Sequence, residues 1–503
     1  MYNLEPAVSF SFLHPGQLAA LFLGSQLLLG GSALSADQTS TPARTEVPSN
    51  PGQVTILKFT ERTSPLDLSV RCADYLDRNK DPKPPKPPPR PKHVPPDPSG
   101  MPVIDLGERS SSVIELPGSR PEDLPIQALE GSPEVLRRIR SVMNRAKQGL
   151  ATRLSFFGAS HTGADLWTGR IRRLLQDRHG DLGHGFILPA ALYRGYRGAD
   201  VNLCRTEGWL ADWVGKKNGH GDGLLGPAGM SVSSANPGDF GWVETTRQNP
   251  HGRKVSKFIV MALNQPAGGH LELRVDNGKV QRVSTRADSH ELHTIEIQVV
   301  DGPHRLELRP AGDGEVRLFG VSMEREGSGI LVDAMGIRGR TMKTWLKWDK
   351  QLAAAGLKAL DPALVVIAYG TNEASHQDYS MKDYRDDLEA ALGELRARLP
   401  MEVPCILAGP SDRGVRLSAD RYAVWNRTAM VAQVQRELAD SYGCAFWDWQ
   451  QATGGPGSMV AWYFHQPAMA AKDLIHFNRR GYQWLGDRFV AALDALEHDP
   501  RLD

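Results

Sequence analysis

The stretch Leu364-Val-Val-Ile-Ala-Tyr369 decides the fold, because an uninterrupted apolar run of this length is typical of a strand buried on both faces of a sheet. It ends at Gly370-Thr-Asn-Glu373, and a helical pattern follows near 381–398. The same succession occurs earlier, where Arg153-Leu-Ser-Phe-Phe157 meets the small-residue turn that contains Ser160 and then a helical pattern. Strands that alternate with helices favour a parallel sheet covered on both faces.

Two further apolar runs extend this pattern towards the C-terminus. Pro404-Cys-Ile-Leu-Ala408 precedes a predicted helix over about 418–440, and Cys444-Ala-Phe-Trp-Asp448 precedes a final helix over about 479–496. Together the four runs predict an α/β domain with three layers, in which a parallel sheet lies between two layers of helices.

Residues 196–328 show a different pattern. Short strands that alternate polar and apolar residues recur over 255–322, and turns such as Asp276-Asn-Gly278 separate them. Period-2 strands at this spacing are typical of a β-sandwich or jelly roll. We therefore predict an inserted β-rich module that divides the α/β domain into a first part, 151–195, and a second part, 329–503.

The N-terminus resembles a secretory signal. Residues 18–29 form a short apolar stretch, small residues follow it up to Ala36, and this order is typical of a signal-peptide core and cleavage region within 1–36. The first basic residue is Arg44, so the usual positive segment is missing. We expect a periplasmic or secreted protein; the alternative is a protein that is not exported and has an apolar N-terminal segment.

The chain from residue 37 to residue 150 leads into the α/β domain. Residues 37–100 are predicted to be largely disordered, since 82–98 contain ten prolines and few backbone donors. This Pro-rich segment is interpreted as a solvated linker, the alternative being a cationic spacer along an anionic polymer. Residues 101–150 form a lead-in segment that ends in a predicted helix, Pro133 to Leu150.

Composition excludes several classes of protein. The 503 residues carry 59 Lys+Arg and 58 Asp+Glu, a net charge of +1, so nucleic-acid binding through bulk positive charge is excluded. No apolar run is long enough for a confident membrane span, so we expect no membrane contact beyond the signal-like segment. The four cysteines show no zinc-binding spacing. No metal or cofactor is expected, and Cys405 and Cys444 are predicted to be two buried thiols.

Polar residues follow the predicted strands at points where parallel strands of one sheet would place them at a common edge. Ser160 follows the first strand, Gly339 lies in a turn after Ile330-Leu-Val332, and Asn372 follows the central strand. Asp473-Leu-Ile-His476 precedes the last helix, where an Asp three residues before a His can hold the imidazole as a general base. Each alone also fits an ordinary helix cap, turn or surface loop.

Taken in this order, the four motifs resemble the blocks of the SGNH (GDSL-type) hydrolase superfamily. The resemblance covers about 151–196 and 328–496, and it implies a flavodoxin-like three-layer fold. It implies that Ser160 is the nucleophile, that His476 is the general base and then acid, and that Asp473 orients His476. It also implies an oxyanion hole formed by Ser160, Gly339 and Asn372.

Two departures from the family pattern accompany this resemblance. Gly158-Ala159-Ser160 lacks the usual Asp before the nucleophile, and Glu373 stands where Asp is usual. His161, beside Ser160, is a second candidate for the base, but neighbouring side chains on a first helical turn diverge. We therefore assign the base to His476.

The interrupted domain resembles peptidoglycan O-acetylesterases, in which the inserted module is similar to a carbohydrate-binding sandwich. The implied activity is removal of O-acetyl groups from a carbohydrate polymer through an acetyl-Ser160 intermediate, and the resemblance favours peptidoglycan as that polymer. Four alternatives stay open: an acetylxylan-type carbohydrate esterase, an O-acetyltransferase, a non-catalytic glycan-binding protein, and a lipase or thioesterase. The expected partner is an O-acetylated polysaccharide, and the oligomeric state is not predicted.

Aromatic residues of the insert have two interpretations. Trp209, Trp213, Phe240 and Trp242 would either stack on sugar rings or fill the core of the sandwich, and core packing is favoured. Trp345 and Trp348 lie at helical spacing and are predicted to be core residues.

Overall fold

The computed structural model describes residues 54–59, 72, 99–106, 116–190, 193, 196–247 and 249–503. The signal-like residues 1–36 and the Pro-rich linker 82–98 lie outside these residues. No helix in the described part of the chain combines the length and apolarity needed to cross a bilayer.

The strands of the described residues, in chain order, are β1 Val54–Lys58, β2 Val103–Asp105, β3 Thr152–Gly158, β4 Gly185–Ile187, β5 Val201–Arg205, β6 Leu210–Trp213, β7 Met230–Ser234, β8 Gly241–Thr245, β9 Val255–Asn264, β10 His270–Val275, β11 Gln281–Ser284, β12 Glu291–Gly302, β13 Arg305–Pro310, β14 Val316–Glu324, β15 Ile330–Gly336, β16 Leu364–Ala368, β17 Cys405–Ala408, β18 Gly414–Arg416, β19 Arg421–Val424 and β20 Cys444–Trp447.

The α-helices of the described residues are α1 Pro133–Lys147, α2 Ser160–Gly163, α3 Trp167–His179, α4 Lys350–Leu360, α5 Thr371–Ala374, α6 Met381–Arg398, α7 Arg427–Ala439, α8 Trp449–Ala452, α9 Ser458–Phe464 and α10 Arg479–Asp494.

A five-stranded parallel sheet forms the centre of the α/β domain, in the order β15-β3-β16-β17-β20. Its strands are buried on both faces, as the apolar runs predict: Leu364 and Val366 of β16 belong to one apolar core, and Val365 and Ile367 belong to the other. Helices α1, α3 and α10 pack on the first face, and α4, α6 and α7 pack on the second. The predicted parallel sheet between two helical layers is therefore confirmed.

Residues of the insert form most of two sheets. One has seven strands in the order β1-β12-β9-β14-β7-β6, with β4 paired to β14, and the other has five in the order β11-β10-β13-β8-β5. Two strands come from elsewhere: β1, from the segment 37–100 that was predicted to be largely disordered, and β4, from the first part of the α/β domain. Apolar residues of both sheets, such as Val260 of β9 and Leu306 of β13, belong to the same core that covers one face of the parallel sheet. The β-rich module therefore packs directly on the α/β domain.

A buried cluster of charged residues also joins the module to the parallel sheet, through the pair of Arg153 with Glu324. The guanidinium of Arg153 in β3 lies 2.9 Å from the carboxylate of Asp333 in β15, and it also pairs with Glu324 at the end of β14. Ser155 donates a hydrogen bond of 2.6 Å to Asp333, and the backbone N–H of Phe186 in β4 donates another of 2.9 Å.

Two predictions are wrong in detail. The helix expected over 418–440 begins only at Arg427, because Arg421–Val424 pairs with Gly414–Arg416 as a hairpin that also pairs with β2. Cys405 and Cys444 are disulfide-bonded rather than free thiols. They are register partners on neighbouring strands, and this register brings their Cα atoms to 4.3 Å. A second disulfide joins Cys72 to Cys204.

The aromatic residues of the insert pack inward, in agreement with the core interpretation. Trp209, Phe240 and Trp242 are buried, and the guanidinium of Arg305 lies 4.3 Å from the centre of the Trp242 ring. Trp213 is half-buried under Lys216, whose Nζ lies 4.6 Å from the ring centre. Both Trp345 and Trp348 are buried, as predicted.

Candidate active site

Ser160 lies at the carboxyl edge of the parallel sheet, where β3 turns into α2. Gly158 ends the strand, and a Cβ there would lie 2.3 Å from Thr162 Oγ1 and 2.7 Å from the carbonyl oxygen of Ala368. Only glycine allows this close approach, which starts the helix directly at Ser160. Ala159 makes no side-chain cap; instead its carbonyl accepts a hydrogen bond of 2.9 Å from Gly163. The turn therefore closes with Ala159 at the position where the SGNH pattern has an Asp before the nucleophile.

Asp473 and His476 are held together by a compact loop before α10. Asp473 Oδ1 accepts hydrogen bonds from the backbone N–H groups of Ile475 at 3.1 Å and His476 at 2.9 Å. Between them, Leu474 has a φ of 55°, in the left-handed region that a side chain rarely adopts. The backbone therefore folds back and directs the two functional side chains to the same point.

The structure brings the three predicted triad residues together. Asp473 Oδ2 lies 2.7 Å from His476 Nδ1, and His476 Nε2 lies 2.8 Å from Ser160 Oγ. A carboxylate only accepts hydrogen bonds, so Nδ1 carries a proton and Nε2 is left to accept the hydrogen bond of the serine hydroxyl. This arrangement can remove the proton of Ser160 as the oxygen attacks a carbonyl.

The charge of Asp473 is secured by its surroundings. Partial burial by itself raises the pKa of this carboxyl, but the hydrogen bonds from the side chain and backbone of His476 outweigh burial and lower the pKa to about 2. Asp473 is therefore ionised throughout the neutral range, as an orienting carboxylate must be.

The other two candidate residues follow the strands on either side of β3. Gly336, the last residue of β15, and Ala368, the last of β16, are both register partners of Gly158. Gly339 lies three residues beyond the first of these strands and Asn372 four residues beyond the second, so both lie at the edge that carries Ser160.

Asn372 and Gly339 are connected by hydrogen bonds. The side-chain amide of Asn372 donates to the carbonyl of Arg340 at 2.8 Å, and the Arg340 N–H donates to Ile337 at 3.2 Å, which closes a turn with Gly339 at a φ of 71°. One amide hydrogen of Asn372 remains for another acceptor. The oxyanion hole of Ser160, Gly339 and Asn372 stays a prediction, because it concerns an atom of the substrate.

Glu373 connects the two loops that carry Gly339 and Asn372. Its buried carboxyl accepts one hydrogen bond from the N–H of Met342 at 2.8 Å and another from the N–H of Gly370 at 2.9 Å. Burial raises the pKa of Glu373 to about 7, against the opposing effect of these hydrogen bonds. Glu373 thus joins the loop of Gly339 to the turn of Asn372.

His161 is a buried packing residue, as expected from the divergence of neighbouring side chains. Its Nδ1 lies 2.8 Å from the Tyr482 hydroxyl and its Nε2 lies 3.2 Å from Ser411 Oγ. Burial, and next the charge of His476, lower the pKa of His161 to about 3. The ring stays neutral and lies 5.1 Å from the ring of His476, centre to centre.

Sequence reasoning missed the segment Ser411–Gly414, which follows β17 at the same sheet edge. Ser411 contacts His161, and the Gly414 N–H donates to the carbonyl of Leu474 at 2.9 Å, so the segment supports the loop of Asp473 and His476. Its polar residues directly after a buried strand are the same signal that identified Ser160 and Asn372.

Comparison with known proteins finds similarity to hydrolases. Residues 310–484 match the model of the GDSL-like Lipase/Acylhydrolase family. A solved peptidoglycan O-acetylesterase is 25% identical with a TM-score of 0.58, and the match covers 73% of this chain and 95% of that one.

Two further solved structures are less similar. An acetyl xylan esterase is 16% identical with a TM-score of 0.24, over 32% of this chain and 80% of that chain. A family two carbohydrate esterase from Cellvibrio japonicus is 10% identical with a TM-score of 0.23, over 60% of this chain and 99% of that chain. No curated protein matches the sequence.

Proposed function

We propose that the chain, whose residues 310–484 match the GDSL-like Lipase/Acylhydrolase family, is a serine esterase that removes O-acetyl groups from peptidoglycan. The hydrogen-bonded series from Asp473 through His476 to Ser160 carries the proposal, because it supplies a nucleophile, a base and an orienting carboxylate in one site.

The similarity to a peptidoglycan O-acetylesterase supports the choice of substrate. It covers 73% of this chain and 95% of the other chain, a larger share of this chain than the family match at 310–484. We propose that the β-rich module is a jelly roll that contributes to binding of the glycan.

The chemistry begins when Ser160 Oγ attacks the acetyl carbonyl while His476 Nε2 takes the hydroxyl proton. The negative charge that develops on the carbonyl oxygen is stabilised by the N–H groups of Ser160 and Gly339 and by the free amide hydrogen of Asn372. Loss of one such donor typically costs about 10²–10³ in rate. His476 then gives its proton to the departing sugar oxygen.

Deacylation reverses these roles. Water takes the place of the sugar, His476 Nε2 removes one of its protons, and the oxygen attacks the acetyl-Ser160 carbonyl. Collapse of this second tetrahedral intermediate releases acetate and returns the proton to Ser160. Asp473 stabilises the imidazolium in both halves of the reaction.

An extracytoplasmic location is part of the proposal. Disulfides persist in oxidising compartments such as the periplasm, and all four cysteines of the chain are paired, Cys72 with Cys204 and Cys405 with Cys444. This pairing supports a periplasmic or secreted enzyme, where peptidoglycan is accessible.

The test is acetate release by the full chain from O-acetylated peptidoglycan and from acetylxylan, with Ser160→Ala as the inactive variant. We expect release from peptidoglycan that Ser160→Ala abolishes. Release from acetylxylan alone would reassign the polymer and keep the serine mechanism. No release from either polymer, or release that is equal in the variant, would overturn the proposal.

A further inference from the structure

An unusual feature near the site is a buried cation to which the described residues offer neither a hydrogen-bond acceptor nor a paired carboxylate. Arg413 lies in the loop after β17 and is 5% exposed, and its Nε is fully enclosed without a hydrogen-bond partner. Within the described part of the chain, no group accepts a hydrogen bond from its guanidinium and no carboxylate pairs with it. Buried charges in proteins are normally paired, because an unpaired one loses its hydration without compensation.

Arg413 borders the catalytic loop. The next residue, Gly414, donates its N–H to Leu474, which lies beside Asp473. Burial lowers the pKa of the Arg413 guanidinium, and the Asp473 carboxylate opposes that shift across a distance too long for an ion pair. The cation is thus close to the triad without being neutralised by it.

The position of Arg413 is fixed before any ligand binds. Its guanidinium lies over the ring of Trp425, with 5.0 Å between the guanidinium carbon and the ring centre, and its carbonyl accepts a hydrogen bond of 3.0 Å from the Trp425 N–H. Nε is enclosed, whereas the two Nη atoms keep some exposure. These are the nitrogens that form paired hydrogen bonds with a carboxylate.

We propose that Arg413 binds a carboxylate of the substrate, so that the preferred substrate is an acetylated sugar that also carries a negative charge. The inference rests on the proposed function and makes it more specific. In peptidoglycan the carboxylate belongs either to the lactyl ether of N-acetylmuramic acid or to the attached peptide, whereas acetylated xylose residues offer none. An anion held here would supply the partner that the protein itself does not.

The kinetic test compares acetylated sugars that differ in charge. The substrates are 6-O-acetyl-N-acetylmuramic acid, 6-O-acetyl-N-acetylglucosamine, which lacks the lactyl carboxylate, and 6-O-acetyl-muramyl dipeptide, whose carboxylates lie on the peptide. In Arg413→Gln we expect kcat/KM to fall about 10- to 100-fold, mainly through a higher KM, for the acetylated sugar whose carboxylate binds Arg413. This is the effect of losing one charge-assisted hydrogen bond. The neutral sugar should change less than about 3-fold.

Matched variants separate recognition from other roles. Arg416→Gln is the control, since Arg416 is an exposed arginine near the same loop whose Nε donates to Ser418. Arg413→Lys, which keeps the charge, should recover part of the preference. Equal losses on charged and neutral sugars would mean that Arg413 acts on Asp473 or on the fold, and would overturn the proposal, as would no loss at all.

A binding measurement keeps the inference separate from the esterase activity. The Ser160→Ala chain should bind N-acetylmuramic acid more tightly than its lactyl carboxamide, and Arg413→Gln in that background should remove the difference. Equal affinity for the two ligands would contradict anion recognition even if the Arg413 variant failed to fold. If wild-type protein released no acetate but kept this preference, the esterase proposal alone would fail.

Discussion

The buried carboxyl of Glu373 accepts a hydrogen bond of 2.8 Å from the backbone N–H of Met342, three residues beyond Gly339. Its other oxygen accepts from Gly370, at the start of the turn that carries Asn372. One side chain therefore sets the relative position of two proposed oxyanion donors. Its environment also makes the fold sensitive to pH.

We predict that ionisation of Glu373 destabilises the protein as pH rises. Burial raises its pKa from the ordinary 4.5 to about 7, so the folded chain binds this proton more tightly than the unfolded chain. The stability that this proton provides is full below pH 4.5 and is lost as pH rises through about 7. At 1.36 kcal/mol per pKa unit, the free energy of unfolding should fall by about 3 kcal/mol over this pH range.

Denaturant unfolding of wild type and Glu373→Gln between pH 4.5 and 8 measures this effect. The variant should lose that part of the pH dependence, while Glu402→Gln, at an exposed position, should keep it. Parallel pH profiles for wild type and Glu373→Gln would contradict the prediction. Because an amide has one acceptor oxygen for two N–H donors, kcat/KM of Glu373→Gln should also fall, by about 10-fold or more.

A second prediction concerns His161, which the geometry excludes as the base. Its pKa of about 3 keeps the ring neutral, and both nitrogens already contact Tyr482 and Ser411. NMR should show an imidazole that does not titrate between pH 5 and 9. His161→Phe should keep more than about a tenth of kcat, whereas His476→Ala should lose about 10⁴-fold or more.

Tyr482→Phe is the matched control for this pair, since it removes the hydroxyl that contacts His161 and leaves the edge-to-face contact of the two rings in place. A loss of activity in His161→Phe as large as that in His476→Ala, with the melting temperature unchanged, would show that His161 takes part in proton transfer.

The sequence predicted the parts of the fold that depend on local pattern. The apolar run 364–369, the alternation in 255–322 and the polar residues after each strand need no knowledge of distant contacts. The common edge of Ser160, Gly339 and Asn372 is also predictable, because carboxyl ends of parallel strands lie at one edge of the sheet. The pairing of Ser160 with His476, which precedes a helix, was implied by the resemblance to the SGNH hydrolase superfamily.

Features that depend on register and packing were not predictable in the same way. Whether Cys405 and Cys444 bond depends on their being direct register partners, and one residue of slip would separate them. The hairpin at 414–424 lies where a helix was expected, because its pairing partner is the distant strand Val103–Asp105. The unpaired burial of Arg413 likewise becomes visible only when all neighbouring groups are known.

A third prediction concerns the buried ion pairs of Arg153, one within the parallel sheet and one with the β-rich module. Arg153 and Asp333 are 8% and 0% exposed, and the same arginine pairs with Glu324. Arg153→Met would leave the buried Asp333 carboxylate without its cation and Glu324 with Lys257 alone, and we expect a loss of about 3–5 kcal/mol in the free energy of unfolding.

The exposed pair of Arg170 and Asp487 offers a matched control, because these side chains are 34% and 45% exposed. Arg170→Met should cost less than about 1 kcal/mol. Equal costs for the two variants in urea denaturation would show that the Arg153 contacts are no stronger than surface ion pairs.

The last prediction concerns the disulfide between Cys405 and Cys444, which joins two neighbouring strands of the parallel sheet across 39 positions of the chain. A cross-link of this span limits the freedom of the unfolded chain, so replacing both cysteines with alanine should lower the free energy of unfolding by about 2–4 kcal/mol. Alkylation of the denatured wild-type chain, followed by peptide mass mapping, checks the bond directly. Without reductant no cysteine should react, and with reductant all four should. Modification of Cys405 and Cys444 in the absence of reductant would restore the interpretation of two buried thiols and would weaken the argument for an oxidising compartment.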